Sequence, residues 1–144
     1  MKLSSRFLME FMRGLYHPWQ VIAFVPGEFA IRIGARTSDL RIRRDYALKL
    51  RHKHRFAYQH FELIQKAINE GWVLTERGDL VFVLAADSPY FANFALVVKR
   101  EAGGRELWLK TFHRIDRRKL ERLLRDNEML RMHLNSSSGF TVDE

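Results

Sequence analysis

The 144-residue chain contains no cysteine. Structural disulfides, thiolate nucleophiles and cysteine-ligated zinc or iron–sulfur sites are therefore excluded. Any catalytic chemistry has to come from histidine, lysine, arginine, tyrosine, serine, threonine or carboxylate side chains. The absence of disulfides is typical of a cytoplasmic protein, which is the location we expect.

Long uninterrupted apolar runs are also missing. Residues 1–25 begin like a targeting signal, but Glu10 and Arg13 interrupt them and no small-residue cleavage site follows. No stretch reaches the roughly 20 apolar residues that a transmembrane helix needs, so we expect no membrane span. The apolar residues Phe7, Phe11 and Leu15 repeat at helical spacing instead, which predicts an amphipathic helix ending near Gly14.

Several familiar catalytic and nucleotide-binding motifs are absent from the chain. There is no glycine-rich phosphate loop, dinucleotide fingerprint, G-x-S-x-G elbow or H-E-x-x-H pair. These absences exclude the commonest ATPase, dehydrogenase, serine-hydrolase and zinc-peptidase patterns, and we expect no cofactor.

The composition is that of a soluble folded domain, with 47% hydrophobic and 29% charged residues. Its formal net charge is +8, and the excess is clustered. Residues 31–60 carry nine basic and two acidic side chains, and residues 105–125 carry eight and three. Such clusters attract nucleic acid or anionic membrane, and the alternative is a solvated basic surface that only keeps the protein soluble.

The hydrophobic pattern predicts an α+β fold in one domain. We expect an N-terminal helix and hairpin, a central amphipathic helix packed on a four-stranded antiparallel β-meander, and a C-terminal helix. The corresponding spans are an N-terminal extension at 1–45, a core at 46–116, a helix at 117–134 and a loosely ordered tail at 135–144.

Individual segments carry more specific predictions. The first hairpin is expected to pair 19–25 with 29–33, and the polar residues 34–45 read as an exposed connector. The central helix runs over about 46–70 with a break near 51–55, and Asp116 caps the last helix. The meander strands are predicted at 72–75, 80–85, 91–101 and 105–115, with a loop at 87–90.

Three histidines in the central segment raise the question of a metal site. His52, His54 and His60 are closely spaced, but no acidic residue lies between Asp45 and Glu62. The surrounding basic side chains would repel a divalent cation, so we predict no metal here.

Metal-independent RNA cleavage needs other groups. A base takes the proton from the 2′-hydroxyl, an acid protonates the leaving 5′-oxygen, and cations stabilise the charged phosphorane. Histidine suits both proton transfers near neutral pH. The chain concentrates such side chains in a first basic cluster (Tyr46, Lys49, His52, His54, Arg55) and a second basic cluster (Lys110, Thr111, His113, Arg114). In a regular strand, Lys110 and Arg114 would face away from Thr111 and His113.

The two clusters also carry a resemblance to a known family. A lysine- and arginine-rich K-H segment leads into I-x-x-A-I-x-x-G at 64–71, and a late strand reads L-K-T-F-H-R at 109–114. Over about residues 40–116 this order resembles the barnase/EndoU/colicin/RelE-like superfamily of small RNases, in particular its phage and mobile-element branches.

That resemblance implies a metal-independent endoribonuclease, often a toxin with an inhibitory antitoxin partner. It matches Lys49, His54, Thr111 and His113 to catalytic positions, and no acidic residue is present at either motif to serve as the general base. The RNA-binding positions that accompany them are Tyr46, His52, Arg55, Lys110 and Arg114.

Two other functions remain open from the sequence. One is a non-catalytic nucleic-acid-binding or adaptor protein of a mobile element, in which Tyr46, Phe56, Tyr58 or Trp108 stacks on bases. The other is an oligomeric structural protein that forms a homodimer through its terminal helices.

Overall fold

The computed structural model describes residues 3–86 and 92–134. Within them the chain has the expected α+β class, with five α-helices and one seven-stranded mixed sheet. None of the helices in this part of the chain is long and apolar enough to cross a membrane. The helices are α1 (Ser5–Met12), α2 (Gly27–Ala30), α3 (Arg44–His52), α4 (Glu62–Glu70) and α5 (Arg117–Asp126). The strands are β1 (Trp19–Phe24), β2 (Asp39–Arg43), β3 (Trp72–Glu76), β4 (Asp79–Ala86), β5 (Ala92–Glu101), β6 (Glu106–Ile115) and β7 (Glu128–Arg131).

The strands lie in the order β1-β2-β6-β5-β4-β3-β7. All neighbouring pairs are antiparallel except β2 and β6, which run parallel over a short contact that pairs Leu40 with Leu107 and Arg41 with Trp108. The four predicted strands are present as β3 to β6, but the expected four-stranded meander is wrong because β1, β2 and β7 extend the sheet at both edges.

The sheet buries apolar side chains on both of its faces. On one face, helices α1 to α4 enclose the main core, which includes Phe11, Phe56 and Ile64. On the other, here called the α5 face, helix α5 covers a second core built on β3, β4 and parts of β5 and β6. Leu120, Leu123 and Leu124 form the apolar stripe of α5 at i, i+3 and i+4.

The predicted hairpin partner at 29–33 is helical instead of extended. Residues Gly27–Ala30 form α2 and Ile31–Ile33 a 3-10 turn. Phe29 and Ile33 are buried while Ile31 is 71% exposed. The apolar spacing was ambiguous, because positions i and i+4 share a helix face as well as a strand face.

The true partner of β1 lies in the segment expected to be an exposed connector. Leu40 and Ile42 of β2 are buried in the main core, while Arg41 and Arg43, which alternate with them, face the opposite side. The alternation is only two apolar residues long and is surrounded by charge, so it was mistaken for polar loop sequence.

The helix predicted at 117–134 is too long. Asp116 caps α5 as expected, accepting a hydrogen bond from the Lys119 backbone N–H at 2.8 Å. The helix ends at Asp126, and Asn127 is extended with its side chain donating to the Leu123 carbonyl at 3.0 Å. Both Asp and Asn are weak helix formers, and β7 then pairs with β3.

The predicted break in the central helix is present. Helix α3 ends at His52, and α4 begins only at Glu62 after a 3-10 turn at Tyr58–Phe61. Arg55 adopts a left-handed φ of 57°, which turns the chain so that the buried Phe56 donates its N–H to the Leu50 carbonyl at 2.9 Å. The predicted loop at 87–90 and the tail at 135–144 lie outside the described residues.

Candidate functional site

Helix α3 lies along the edge of β6 beyond the point where β2 stops pairing. The Phe112 backbone N–H of β6 donates to the Tyr46 hydroxyl oxygen at 2.7 Å. Burial raises the pKa of Tyr46, although the hydrogen bond from Phe112 acts in the opposite direction. Tyr46 was predicted to bind RNA, but its hydroxyl bonds an otherwise open strand edge and so positions the first basic cluster beside the second.

Arg114 makes the second connection between the two clusters. Its guanidinium donates to the His54 carbonyl at 3.0 Å and lies 4.1 Å from the centre of the Phe56 ring. Phe56 itself is fully buried, so the expectation that it stacks on bases is wrong. These contacts fix the segment that follows α3 against the C-terminal half of β6.

This arrangement holds the segment that carries His54 beside the end of β6 that carries His113. His113 is half-buried and lies opposite Ala95 on the α5 face of the sheet. Burial lowers the pKa of His113, and the positive charges of Lys119 and His54 lower it further. His113 is therefore biased toward the neutral imidazole, the form that can accept a proton.

Thr111 lies on the same face of β6 as His113, two residues earlier. Its hydroxyl oxygen is buried and has no hydrogen-bond partner among the described residues. Leaving such a group unpaired costs about 1–3 kcal/mol, so an orphaned hydroxyl beside a candidate site is an unusual feature.

Lys110 is not brought to the histidines. The register of β5 and β6 shifts so that Lys110 is an extra residue between the pairs made by Leu109 and Thr111. Because of this bulge the strict alternation expected for the strand fails at Lys110. The Lys110 ammonium binds the Asp79 carboxylate at 3.3 Å, near the opposite end of the sheet from His113.

The remaining predicted cations are exposed on the surface around α3. Lys49, His52 and Arg55 are all exposed, and Lys49 uses its carbonyl to accept the backbone N–H groups of Lys53 and His54. No three histidine, aspartate or glutamate side chains within residues 3–86 and 92–134 are grouped so that they could hold a metal ion.

Sequence reasoning missed two side chains near the site. Lys119, in the first turn of α5, is close enough to depress the pKa of His113. His60 accepts the Ala57 backbone N–H at 2.9 Å, and burial lowers its pKa, followed by the charge of Arg114. The sequence signal that points to Lys119 is the run of three basic residues directly after the Asp116 cap. This run could not be assigned to the site, because the sequence does not show where α5 packs.

A second missed feature lies on the α5 face beyond the edge of the second core. Trp19, Arg41, Arg43 and Trp108 form what we call the tryptophan–arginine stack. The Arg43 guanidinium lies 4.2 Å from the Trp108 ring centre, and the Arg41 guanidinium lies 4.1 Å from that of Trp19. Trp108, predicted as an exposed stacking residue, is only 5% exposed.

Comparisons with known proteins found no match for this chain. No protein-family model, curated protein or solved structure matches the chain. The resemblance to small RNases stays a hypothesis that rests on the residues described above.

Proposed function

We propose that this protein is a metal-independent endoribonuclease that uses His54 and His113 as its proton-transfer pair. The proposal is supported by the hydrogen bonds of Tyr46 to β6 and of Arg114 to the His54 carbonyl, which hold the segment that carries His54 beside the end of β6 that carries His113. The charge of His54 also contributes to the lowered pKa of His113, after burial and the charge of Lys119.

The reaction needs one proton acceptor and one proton donor. His113, held neutral by burial and by nearby positive charge, accepts the proton of the 2′-hydroxyl as its oxygen attacks the adjacent phosphorus. His54 donates a proton to the leaving 5′-oxygen as the phosphorus–oxygen bond breaks. The products are a 2′,3′-cyclic phosphate and a free 5′-hydroxyl, and water later restores the protonation states of both imidazoles.

Cations around the histidines complete the proposed site. Lys119, Lys49 and Arg55 supply positive charge for the phosphorane, whose oxygens carry more charge than the substrate's. Arg114 is a positioning residue because its guanidinium holds the His54 carbonyl.

Loss of single histidines tests the proposal. The protein is incubated with single-stranded RNA in excess EDTA, and the products are analysed for 2′,3′-cyclic phosphate ends. His54→Ala and His113→Ala should each abolish cleavage, whereas His52→Ala, at an exposed position of α3 that takes no part in the proposed proton transfers, should retain it. RNA binding without cleavage by the wild type would refute the enzyme.

A non-catalytic nucleic-acid-binding protein is the second candidate. It is favoured by the exposed basic side chains of Lys49, His52 and Arg55, which can contact phosphates without any proton transfer. In the same assay this function predicts salt-sensitive binding and no cleavage products.

We further propose that the enzyme is toxic to cells and has a protein partner that neutralises it. Expression in cells of the wild type and of variants that lack His54 or His113 tests this proposal.

The terminal helices are weaker candidates for a homodimer surface than the sequence suggested. Phe11 of α1 and the α5 leucines are buried within the same chain.

A further inference from the structure

We propose that the tryptophan–arginine stack binds single-stranded RNA and leads it along β6 to the histidine pair. The inference rests on the proposed function, because it takes RNA as the ligand. It goes beyond that function by specifying that the RNA is single-stranded and by naming the surface that binds it.

The stack interleaves cations with aromatic rings. Trp19 and Trp108 meet edge to face with ring centres 6.1 Å apart, and Arg41 lies near both, 4.1 Å from the first and 5.7 Å from the second. Arg43 stacks on Trp108, 4.2 Å from its ring centre. A guanidinium stacked on an indole keeps its N–H edge free to contact phosphate and its plane free to contact a base.

The hydrogen bonding of the stack leaves one cation available. Glu106 accepts the Trp108 indole N–H at 2.9 Å and lies 3.5 Å from the Arg41 guanidinium, so Arg41 is partly neutralised. Arg43 is exposed, and its guanidinium makes no hydrogen bond or ion pair within the described residues. The nearby Glu101 carboxylate is paired with Lys99 at 2.8 Å, and both Lys99 and, more weakly, Arg43 lower its pKa. One carboxylate faces two cations there, so the stacking of Arg43 on Trp108 presents a pre-oriented cation with excess positive charge to solvent.

The surface beside Arg43 is concave. A cavity of about 290 Å³ is lined by Pro18, Trp19, Arg43, Arg44, Asp45 and Leu48. Arg44 is held by the backbone carbonyls of Phe11 and His17, so the wall of the cavity is fixed. A volume near the lower end of the range for ligand pockets suits a single planar group such as a base.

The stack and His113 share one face of the sheet. Trp108 and Thr111 lie on the face of β6 that also carries His113, because Leu107, Leu109 and Phe112 point into the main core. Along the strand, Trp108 and His113 are about 13–17 Å apart. The second core under α5 includes no described residue of β1 or β2, so the helix leaves this half of the face uncovered.

These features favour a single strand over a duplex. Unpaired bases can stack on the exposed guanidinium plane of Arg43, whereas the bases of an RNA duplex are stacked on one another and present mainly their backbone. The surplus positive charge of Arg43 complements the phosphates of either form, so stacking is what discriminates between them.

Binding is measured by fluorescence anisotropy with a short labelled 2′-O-methyl oligouridine, which lacks the nucleophile and cannot be cleaved. The wild type should bind it in a salt-dependent manner and should bind a duplex at least about tenfold more weakly. Arg43→Ala should weaken single-strand binding about tenfold and reduce the slope of log K against log salt by about 0.7. Arg43→Lys keeps the charge and should retain the slope, yet it should still lose affinity because lysine does not stack as a plane.

Arg122→Ala is the matched control, since it removes the same charge from an exposed position on α5. It should change the affinity less than about threefold. Equal losses for Arg43→Ala and Arg122→Ala would overturn the inference, as would tighter binding of the duplex. A concentration-dependent dimer dissolved by Arg43→Ala would also overturn it, because the face would then belong to a second copy.

The test separates this inference from the proposed catalysis. Tight, Arg43-dependent binding of the uncleavable strand supports the stack even if unmodified RNA is never cut. Cleavage of unmodified RNA with unchanged rate and affinity in Arg43→Ala supports the histidine pair and refutes the stack.

Discussion

Replacing Tyr46 by phenylalanine tests the contact that holds α3 against β6. The substitution keeps the ring and removes only the oxygen that accepts the Phe112 N–H at 2.7 Å. Because the site is half-buried, the N–H is left without a partner, which costs about 1–3 kcal/mol. For a domain of this size that loss lowers Tm by about 3–10 °C.

The same variant changes the pH dependence of stability. The folded-state pKa of Tyr46 lies above that of an ordinary tyrosine because of burial. Its contribution is therefore complete below the unfolded-state pKa and is lost as pH rises through the folded-state pKa. Tyr46→Phe should remove this part of the alkaline destabilisation.

The assay is thermal and urea denaturation followed by circular dichroism. Tyr16→Phe is the matched control, because the Tyr16 hydroxyl donates to Glu10 at 2.7 Å on the exposed surface and its ring contact with Phe7 is kept. We expect the control to unfold like the wild type. A Tyr46→Phe protein as stable as the control would refute the positioning role of this hydrogen bond.

Three further predictions concern the site and its supporting turns. His54→Ala removes a positive charge near His113 and should raise the pKa of that imidazole in an NMR titration, while His52→Ala leaves it unchanged; an unaltered titration in His54→Ala would show that the pair is not in contact. Thr111→Val should be as stable as the wild type or more so in urea denaturation, because it removes an unpaired buried hydroxyl, and a loss of more than about 1 kcal/mol would mean that the hydroxyl is bonded. Gly104→Ala should destabilise the fold by more than about 2 kcal/mol, because φ is +95° and the new Cβ would overlap the backbone carbonyl oxygen of Gly34. Unchanged stability would show that the turn relaxes freely.

Local sequence patterns were sufficient to predict the elements that are determined by interactions between neighbouring residues. Asp116 caps α5 because its carboxylate bonds a backbone N–H three residues on. The turn after β3 follows from Gly78, whose φ of 85° is the left-handed conformation expected there. The break after His52 was foreseen because that segment has few apolar anchors.

The elements that were missed depend on partners distant in the sequence. Strand β2 is a strand because β1 and β6 flank it, and its parallel pairing with β6 joins residues 40–41 to 107–108. Strand β7 exists because β3 offers a free edge, which no pattern inside 117–134 reveals.

The residues of the candidate site fall into the same two groups: those that local sequence predicts and those that depend on partners distant in the sequence. The residue types of the two basic clusters could be recognised in the sequence, and hydrogen bonds of Tyr46 and Arg114 connect the two clusters in the fold. The tryptophan–arginine stack could not be predicted from the sequence. Trp19, Arg43 and Trp108 come from three strands, and these strands are adjacent only because β2 pairs with β6. The bulge that turns Lys110 toward Asp79 likewise has no signature in the local alternation.

Single-turnover cleavage of RNA in excess EDTA tests whether His54 and His113 act together in the proposed reaction. The rates to compare are those of the wild type, His54→Ala, His113→Ala and the double variant. We predict 2′,3′-cyclic phosphate ends from the wild type and a loss of about 10²–10⁴ in each single variant. The double variant should be no slower than the slower single one, because the two groups work as a unit. Absence of cleavage by the wild type, or a wild-type rate in either single variant, would contradict the claim.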